Sequence, residues 1–168
     1  MRTHHYTSTM ASTRTRIRQP AADAAPDLLA LDRQVCFALA VASRTVISLY
    51  RPLLEPMGLT HPQYLVMLAL WEDEPLRVSE LADRLSLEPA TLSPLLKRLE
   101  AAGLVTRRRD PDDERAVAVT LTPAGRRLRE DAERIPPAVM ARLGIGLAEL
   151  EDLRDRLTTV IEAARRDG

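Results

Sequence analysis

The chain contains one cysteine, Cys36, inside the apolar segment QVCFALAVASRTVISLY, residues 34–50. A thiol attacks peroxides as the thiolate, and a cysteine with a pKa of about 8.5 is mostly protonated at neutral pH. Polar donors around Cys36 therefore decide whether it is reactive or is a small buried hydrophobe, the usual role of a free cysteine. One cysteine also excludes an intrachain disulfide and a thiolate zinc cluster, and we expect no metal and no cofactor.

Basic residues form a second candidate site. Residues 91–109 contain five cations against one acid, Glu100, although the formal net charge of the whole chain is zero. The local excess predicts a surface for a polyanion such as DNA, while the neutral chain as a whole attracts none. The alternative is a solvated strand end. The five cations are Lys97, Arg98, Arg107, Arg108 and Arg109.

The elements around these residues are predicted to be mainly α-helical. Aromatic residues make up only 3% of the chain, so the core must be aliphatic, which suits helices packed on helices. Apolar residues recur every three or four positions from Leu31 to Leu53, and Pro52 is expected to bend or end that helix. Thr60 and Gln63 have the spacing of a capping box for a helix over about 61–72.

The middle of the chain changes from a helical to a strand pattern. A turn at DEPLR is followed by two short helices that meet near Leu87, and the second helix ends at Gly103. The alternating residues 117–121 and the turn formers RDPDDER predict a β-hairpin. Thr122 and Pro123 begin another helix, interrupted at residues 135–137, and a last amphipathic helix follows Gly146.

This order of elements predicts a winged helix-turn-helix, whose second helix enters the major groove and whose hairpin follows the DNA backbone or minor groove. Short hydroxyls and a lysine early in that helix can contact base edges or phosphates. In the wing, Asp112 or Asp113 can position Arg115, or the pair is an ordinary surface ion pair. The predicted DNA contacts are Thr91, Ser93, Pro94, Lys97, Arg98, Arg107, Arg108, Asp113 and Arg115.

The ends of the chain have different predicted roles. Residues 1–26 are rich in Thr, Ser, Arg, Ala and Pro without helical periodicity, which predicts a disordered tail. Residues 27–58 and 123–168 carry long apolar stripes that need a partner surface, and they flank the winged module at 60–122. No run of eighteen apolar residues and no apolar signal-peptide core is present, so we expect a cytoplasmic protein without a membrane partner.

The segment LSLEPATLSPLLKRLEAAGLVTRRRDPDDERAVAVTLTPAGRRL resembles the MarR family of winged-helix repressors, and the resemblance extends over about residues 30–165. It implies a single MarR-like domain over 27–168. It also implies a homodimer held by interlocked terminal helices that reads a pseudo-palindromic double-stranded DNA operator. Its two recognition helices would lie roughly 34 Å apart, one turn of DNA.

Within that family, LDRQVCFALAVASRTVISLYRPLLEPMGLTHPQYLVMLALWE resembles the organic hydroperoxide-responsive (OhrR-like) branch. This implies that Cys36 is a redox sensor and that the hydroxyl of Tyr50 supports its thiolate. His61 stands where the branch usually has a second tyrosine, and Ala40 where many members have another. His61 can donate a hydrogen bond to a thiolate or can be an ordinary surface residue at the start of a helix.

Helix geometry limits which thiol Tyr50 can contact. Fourteen residues separate it from Cys36, about 21 Å along a helix. Tyr50 therefore serves the Cys36 of a partner subunit if it serves a thiolate at all. The expected mechanism is oxidation of Cys36 to sulfenic acid by an organic hydroperoxide. With no second cysteine in the chain, the sulfenic acid can condense with a low-molecular-weight thiol, a backbone nitrogen or Cys36 of the partner, or it can overoxidise. We favour the low-molecular-weight thiol, whose added bulk would release DNA.

Three alternatives remain at this point. One is a MarR-type repressor released by a small phenolic or carboxylate ligand, with Cys36 incidental. Another is a thiol peroxidase, which leaves the basic helix and wing unexplained. The third is an architectural DNA protein, which usually carries a strong positive charge that this chain lacks.

Overall fold

The computed structural model describes residues 27–110, 113 and 115–166. The chain divides into two compact units, residues 1–38 and 39–168. The predicted tail at residues 1–26 lies outside the described residues. In the first unit, a 3-10 turn at Leu31–Arg33 precedes the start of helix α1, and the Gln34 side-chain amide donates a hydrogen bond to the Leu28 carbonyl. The α-helix itself therefore begins at Val35, later than the apolar pattern predicts.

The second unit contains the remainder of α1, six further helices and three strands. The winged order of elements is as predicted from the sequence, and the strands form one antiparallel sheet in the order β1-β3-β2. The elements are α1 (Val35–Leu54), α2 (His61–Glu72), β1 (Leu76–Arg77), α3 (Val78–Leu85), α4 (Pro89–Ala101), β2 (Val105–Arg109), β3 (Val117–Leu121), α5 (Pro123–Ala132), α6 (Ile135–Leu143) and α7 (Leu147–Arg166).

The core lies between α2, α3, α4 and the sheet, and it is aliphatic as the composition predicts. Each of the helices α2, α3 and α4 buries an apolar stripe, and β3 contributes Val119 from the centre of the sheet. Burial of large aliphatic side chains is the main favourable term for such a small domain. The most completely buried side chains are Leu54, Met67, Leu70, Leu81, Leu92, Leu96, Leu99, Val66, Val105 and Val119.

The junction between α1 and α2 follows the sequence signals closely. Pro52 lies inside α1, which ends two residues later at Leu54, and Gly58 takes a left-handed conformation with φ of 66°. The predicted capping box forms, because Gln63 Oε1 accepts hydrogen bonds from the Thr60 N–H at 2.9 Å and the Thr60 hydroxyl at 2.8 Å. The start of α2 at His61 is therefore fixed locally.

One strand was not predicted. Part of the DEPLR segment, expected to be a turn, forms β1, in which Leu76 pairs with Val119 and Arg77 with Ala118. A two-residue strand has no detectable periodicity in the sequence, and β1 exists because β3 supplies its hydrogen-bonding partners.

Helices α1 and α7 leave their apolar faces uncovered. Leu54 is the one buried side chain of α1, and α7, which the structure describes over its full length, has none. Segment Val35–Met57 is long and apolar enough, by length and composition alone, to cross a membrane. The exposed apolar side chains of these two helices are Val35, Phe37, Leu39, Val41, Ile47, Leu147, Leu153, Val160 and Ile161.

Gly125 anchors α5 against the rest of the winged module. The Trp71 indole N–H donates to the Gly125 carbonyl at 2.9 Å, and the Gly125 N–H donates to the Thr122 hydroxyl oxygen at 3.0 Å. A Cβ atom at Gly125 would lie 2.1 Å from the carbonyl oxygen of Leu104. Only glycine fits at this position without displacement of the backbone.

We predict that Gly125→Ala lowers the free energy of unfolding by at least about 2 kcal/mol, because its Cβ overlaps a backbone atom that cannot rotate away. Gly146→Ala is the matched control, since its Cβ would meet no atom closer than Glu149 Oε2 at 3.7 Å. The control should cost less than about 1 kcal/mol. Urea denaturation measures both, and equal losses for the two variants would contradict this account of Gly125.

Candidate functional site

Helix α4 separates an apolar face from a polar face. Four leucines, Leu92, Leu95, Leu96 and Leu99, are buried against the core. All five DNA contacts predicted on this helix are exposed, and the helix begins at Pro89, where a missing N–H is tolerated. The exposed residues are Thr91, Ser93, Pro94, Lys97 and Arg98. The structure thus brings these predicted contacts together on one helix.

The wing is a regular hairpin tied to α4 by an ion pair. The Arg107 guanidinium donates to Glu100 Oε2 from Nη2 at 2.6 Å and from Nε at 2.9 Å, and the Arg107 N–H donates to Oε1 at 3.2 Å. The hydrogen bonds from Arg107 lower the pKa of the Glu100 carboxyl. Arg107, predicted to contact DNA, is therefore committed to an intramolecular partner, whereas Arg108 is exposed.

A second ion pair fixes the base of the wing. Arg77, at the end of β1, donates from Nε to Asp110 Oδ2 at 2.7 Å, and this hydrogen bond raises the pKa of Arg77. The Arg77 N–H also donates to Glu80 Oε2 at 2.7 Å. No local pattern predicts this pair, because Arg77 and Asp110 are far apart in the chain and meet only when β1 joins the sheet.

The tip of the wing is only partly described. The Asp113 carboxylate accepts a hydrogen bond from the backbone N–H of Arg115 at 3.0 Å, and the Asp113 carbonyl accepts one from Ala116 at 2.9 Å. Asp113 therefore orders the turn through the backbone of Arg115. Asp112, the other predicted partner, lies outside the described residues.

The candidate sensing residues belong to different units. Cys36 is exposed in the first unit, as the second residue of α1. In the second unit the rings of Tyr50 and His61 meet edge to face, with centroids 5.0 Å apart and an interplanar angle of 70°. Tyr64 continues this aromatic cluster, with its ring centroid 6.0 Å from that of Tyr50. The structure thus brings Tyr50 and His61 together.

Burial sets the protonation states of the aromatic cluster. Desolvation raises the pKa of Tyr50, and desolvation together with the charge of Tyr50 raises the pKa of Tyr64. Desolvation lowers the pKa of His61 from its ordinary value of 6.5. At neutral pH both tyrosines are therefore protonated donors, and His61 is a neutral imidazole with one N–H to donate.

A metal centre finds no support in the described residues, which contain no group of three or more His, Cys, Asp or Glu side chains arranged to hold an ion. The exposed cations around α4 and the wing, and the aromatic cluster beside α1, are thus the two polar features that stand out from the core.

Comparison with known proteins identifies the family. A sequence model of the MarR family matches residues 59–117. The organic hydroperoxide resistance transcriptional regulator of Bacillus subtilis (strain 168) is 40% identical over 136 residues, which is 81% of this chain and 92% of that protein. This chain belongs to the MarR family. The HTH-type transcriptional regulator TtmR of Methylorubrum extorquens (strain PA1) is 46% identical over 80% of this chain and 69% of that protein.

Solved structures of MarR regulators share the fold. Reduced AbfR of Staphylococcus epidermidis bound to DNA has a TM-score of 0.66 and 32% identity, over 80% of this chain and 94% of that chain. CouR of Rhodococcus jostii RHA1 bound to p-coumaroyl-CoA has a TM-score of 0.69 and 29% identity, over 79% and 94%. The predicted winged-helix fold is confirmed. Like its relatives, the protein is a transcriptional regulator of MarR type and not an enzyme.

We predict that Arg108→Ala reduces the slope of log Kd against log salt concentration by about one, because it would remove one exposed charge that is available to a phosphate. Arg107→Ala should change the slope much less, since its guanidinium is already paired with Glu100. Fluorescence anisotropy titrations of the two variants and the wild type with one DNA duplex at several salt concentrations measure the slopes. A larger change for Arg107→Ala than for Arg108→Ala would contradict the assignment.

Proposed function

We propose that this MarR regulator is a homodimeric repressor that senses organic hydroperoxides through Cys36 and leaves its operator when that thiol is oxidised. The observation that carries the proposal is the exposure of Cys36 at the start of α1. The 40% identity to an organic hydroperoxide resistance regulator supports the same chemistry.

DNA recognition is assigned to α4 and the wing. The exposed hydroxyls of Thr91 and Ser93 lie at the beginning of α4, where a recognition helix contacts base edges. Lys97, Arg98 and Arg108 have no intramolecular acceptor among the described residues, so their charges are available to phosphates. The related AbfR has been crystallised bound to DNA, which supports this use of the fold.

A second copy of the chain is the proposed cover for α1 and α7. Leu153 and Ile161 of α7 are 48% and 51% exposed, as expected for a helix that packs on a partner. A membrane would be a poor alternative, since burying Arg44 and Arg51 of α1 in a bilayer costs about 2.5–3.5 kcal/mol each. We therefore propose a cytoplasmic dimer whose two winged modules read a pseudo-palindromic operator.

The Tyr50–His61 pair is the proposed support for a thiolate. Tyr50 lies on α1 and His61 at the start of α2, and both are hydrogen-bond donors at neutral pH. Because Cys36 and Tyr50 belong to one continuous helix, Tyr50 is assigned to the Cys36 of the other subunit. Two hydrogen-bond donors at the sulfur would stabilise its anionic form, which is the species that attacks a peroxide.

The proposed oxidation conserves atoms and electrons. The Cys36 thiolate sulfur attacks the distal peroxide oxygen, the O–O bond breaks, and the alkoxide takes a proton to leave as an alcohol. The thiolate is oxidised to sulfenic acid and the peroxide is reduced. A low-molecular-weight thiol then condenses with the sulfenic acid, which forms a mixed disulfide and releases water. The added group at the proposed dimer interface separates the winged modules from DNA.

A second candidate function has one observation in its favour. The MarR regulator CouR, with a TM-score of 0.69, has been crystallised bound to p-coumaroyl-CoA. In this alternative, an aromatic carboxylate derivative releases the repressor, and Cys36 has no role in the response. Alkylation of the thiol would leave ligand-dependent release unchanged, whereas it would block the response to peroxide.

We predict that Cys36→Ser binds DNA with the wild-type affinity but is not released by an organic hydroperoxide, because a hydroxyl is not oxidised as a thiolate is. The measurement is an anisotropy titration of a selected operator duplex with untreated protein and with protein that has been treated with peroxide and then freed of it. Cys36→Ala serves as a second variant, in case serine disturbs α1. Peroxide-dependent release in both variants would overturn the proposal.

A further inference from the structure

The C-terminal end of α7 contacts the turn that joins α3 to α4. The guanidinium of Arg165, in the last turn of α7, donates a hydrogen bond from Nη2 to the hydroxyl oxygen of Ser86. Among the described residues, every other side-chain hydrogen bond of α7 lies within that helix or joins it to Gly146. Arg165 is therefore the described side chain of α7 that hydrogen-bonds to the winged module.

The turn that contains Ser86 has a defined backbone conformation. Ser86 follows the last residue of α3 and takes a left-handed conformation with φ of 52°. Its N–H donates to the Asp83 carbonyl at 3.1 Å, and the Leu87 N–H donates to the Ala82 carbonyl at 2.9 Å. This pair of hydrogen bonds is the Schellman pattern that closes a helix end. The hydroxyl that accepts from Arg165 thus belongs to an ordered turn.

In a helix-turn-helix the turn between the two helices lies near the DNA backbone. The first helix crosses the backbone, and the first residues of the second helix contact base edges. The turn that joins them is therefore at the edge of the major groove. Ser86 lies in this turn, three residues before α4 begins at Pro89. A cation that is hydrogen-bonded to Ser86 is placed on the same edge.

The turn offers no unpaired cation of its own. Arg84 is the one cation between residues 83 and 88, and its guanidinium is paired with Asp73 at 2.6 Å. Asp83 and Glu88 are exposed, and neither carboxylate has an ion-pair partner in the described part of the chain. Negative charge beside the turn would repel a phosphate, so a favourable contact there requires cations from another element.

The last turn of α7 supplies two such cations, Arg165 and Arg166. Arg165 uses one of its five N–H donors for Ser86, which leaves the others for a phosphate. Arg166 is exposed, and its side chain has no hydrogen bond or ion pair with any described residue. Cations at this end of a helix also stabilise it through the helix dipole. That role alone would leave the salt dependence of DNA binding unchanged.

We propose that Arg165 and Arg166 extend the DNA interface beyond α4 and the wing, by contacting phosphates beside the turn between α3 and α4. The proposal rests on the DNA recognition proposed above and adds a third element to it. Phosphate contacts carry no sequence information, but they fix the position of a recognition helix on the duplex. They would also connect the helix proposed for dimerisation directly to DNA, so that a displacement of α7 removes phosphate contacts.

The test is an anisotropy titration of the full-length protein with one DNA duplex at several salt concentrations. In Arg165→Gln and in Arg166→Gln the slope of log Kd against log salt concentration should each fall by about one, and in the double variant by about two. Arg165→Lys keeps the charge and should keep the wild-type slope.

Arg154→Gln is the matched control on the same helix. Arg154 is exposed and paired with Asp155, and it lies eleven residues before Arg165, about 16 Å along α7. This variant should keep the wild-type slope. Circular dichroism of each variant checks that the helix content is retained.

The outcomes separate this proposal from the DNA recognition on which it rests. A wild-type slope in both Gln variants, with a lower slope in Arg108→Ala, would overturn the contacts from α7 and leave recognition by α4 and the wing. Equal losses of affinity in Arg165→Gln and Arg165→Lys without a change in slope would assign Arg165 a structural role, and would also overturn the proposal. A wild-type slope in Arg108→Ala as well would overturn the recognition proposed for the wing.

Discussion

Helices α1 and α7 each have an apolar face that no other described part of the chain covers, and the rest of this structure depends on that constraint. Helix α7 extends over Leu147–Arg166 and buries none of its side chains, and α1 buries only Leu54. Apolar area of this extent is rarely left in water by a soluble protein. In the dimer proposed above, a second copy of the chain would satisfy the constraint, set the spacing of two DNA-reading modules, and bring Tyr50 of one subunit to the Cys36 thiol of the other.

Ion pairs and a hydrogen bond connect the elements of the winged module to one another. The Glu100–Arg107 ion pair ties the recognition helix to the first wing strand, and the Arg77–Asp110 pair ties the last residue of β1 to the base of the wing. Trp71 joins α2 to α5 through the Gly125 carbonyl. In the proposed mechanism, a packed unit of this kind would follow a shift of α1 as one body, and a small chemical change could then alter the fit of two recognition helices on DNA.

Local signals in the sequence predicted local structure well. The Thr60 and Gln63 cap, the left-handed Gly103 at the end of α4, and the hairpin of β2 and β3 all form as predicted. Signals that depend on distant partners were not available from the sequence. Strand β1 exists only through its pairing with β3, and the commitment of Arg107 to Glu100 requires the turn after α4 to bring the two side chains together.

The part of the candidate site that depends on local sequence patterns was predictable, and the part that depends on contacts between distant residues was not. The separation of polar and leucine faces on α4 follows from helical periodicity, and the five DNA contacts predicted on that helix all lie on its exposed side. Tyr50 and His61 meet edge to face, with a cavity beside them, because the chain turns at Gly58 between α1 and α2.

The central claim is that each thiol is supported by the opposite subunit, and mixed dimers test it most directly. A mixed dimer of one Cys36→Ser chain and one Tyr50→Phe chain retains one cysteine, which lies on the Tyr50→Phe chain. Across the proposed interface, this cysteine would meet the intact Tyr50 of the Cys36→Ser chain. The rate of thiol oxidation is compared with that of a dimer in which one chain carries both substitutions and the other is wild type. We expect rapid oxidation in the first dimer and slow oxidation in the second; the reverse order, or a monomeric protein, would contradict the account.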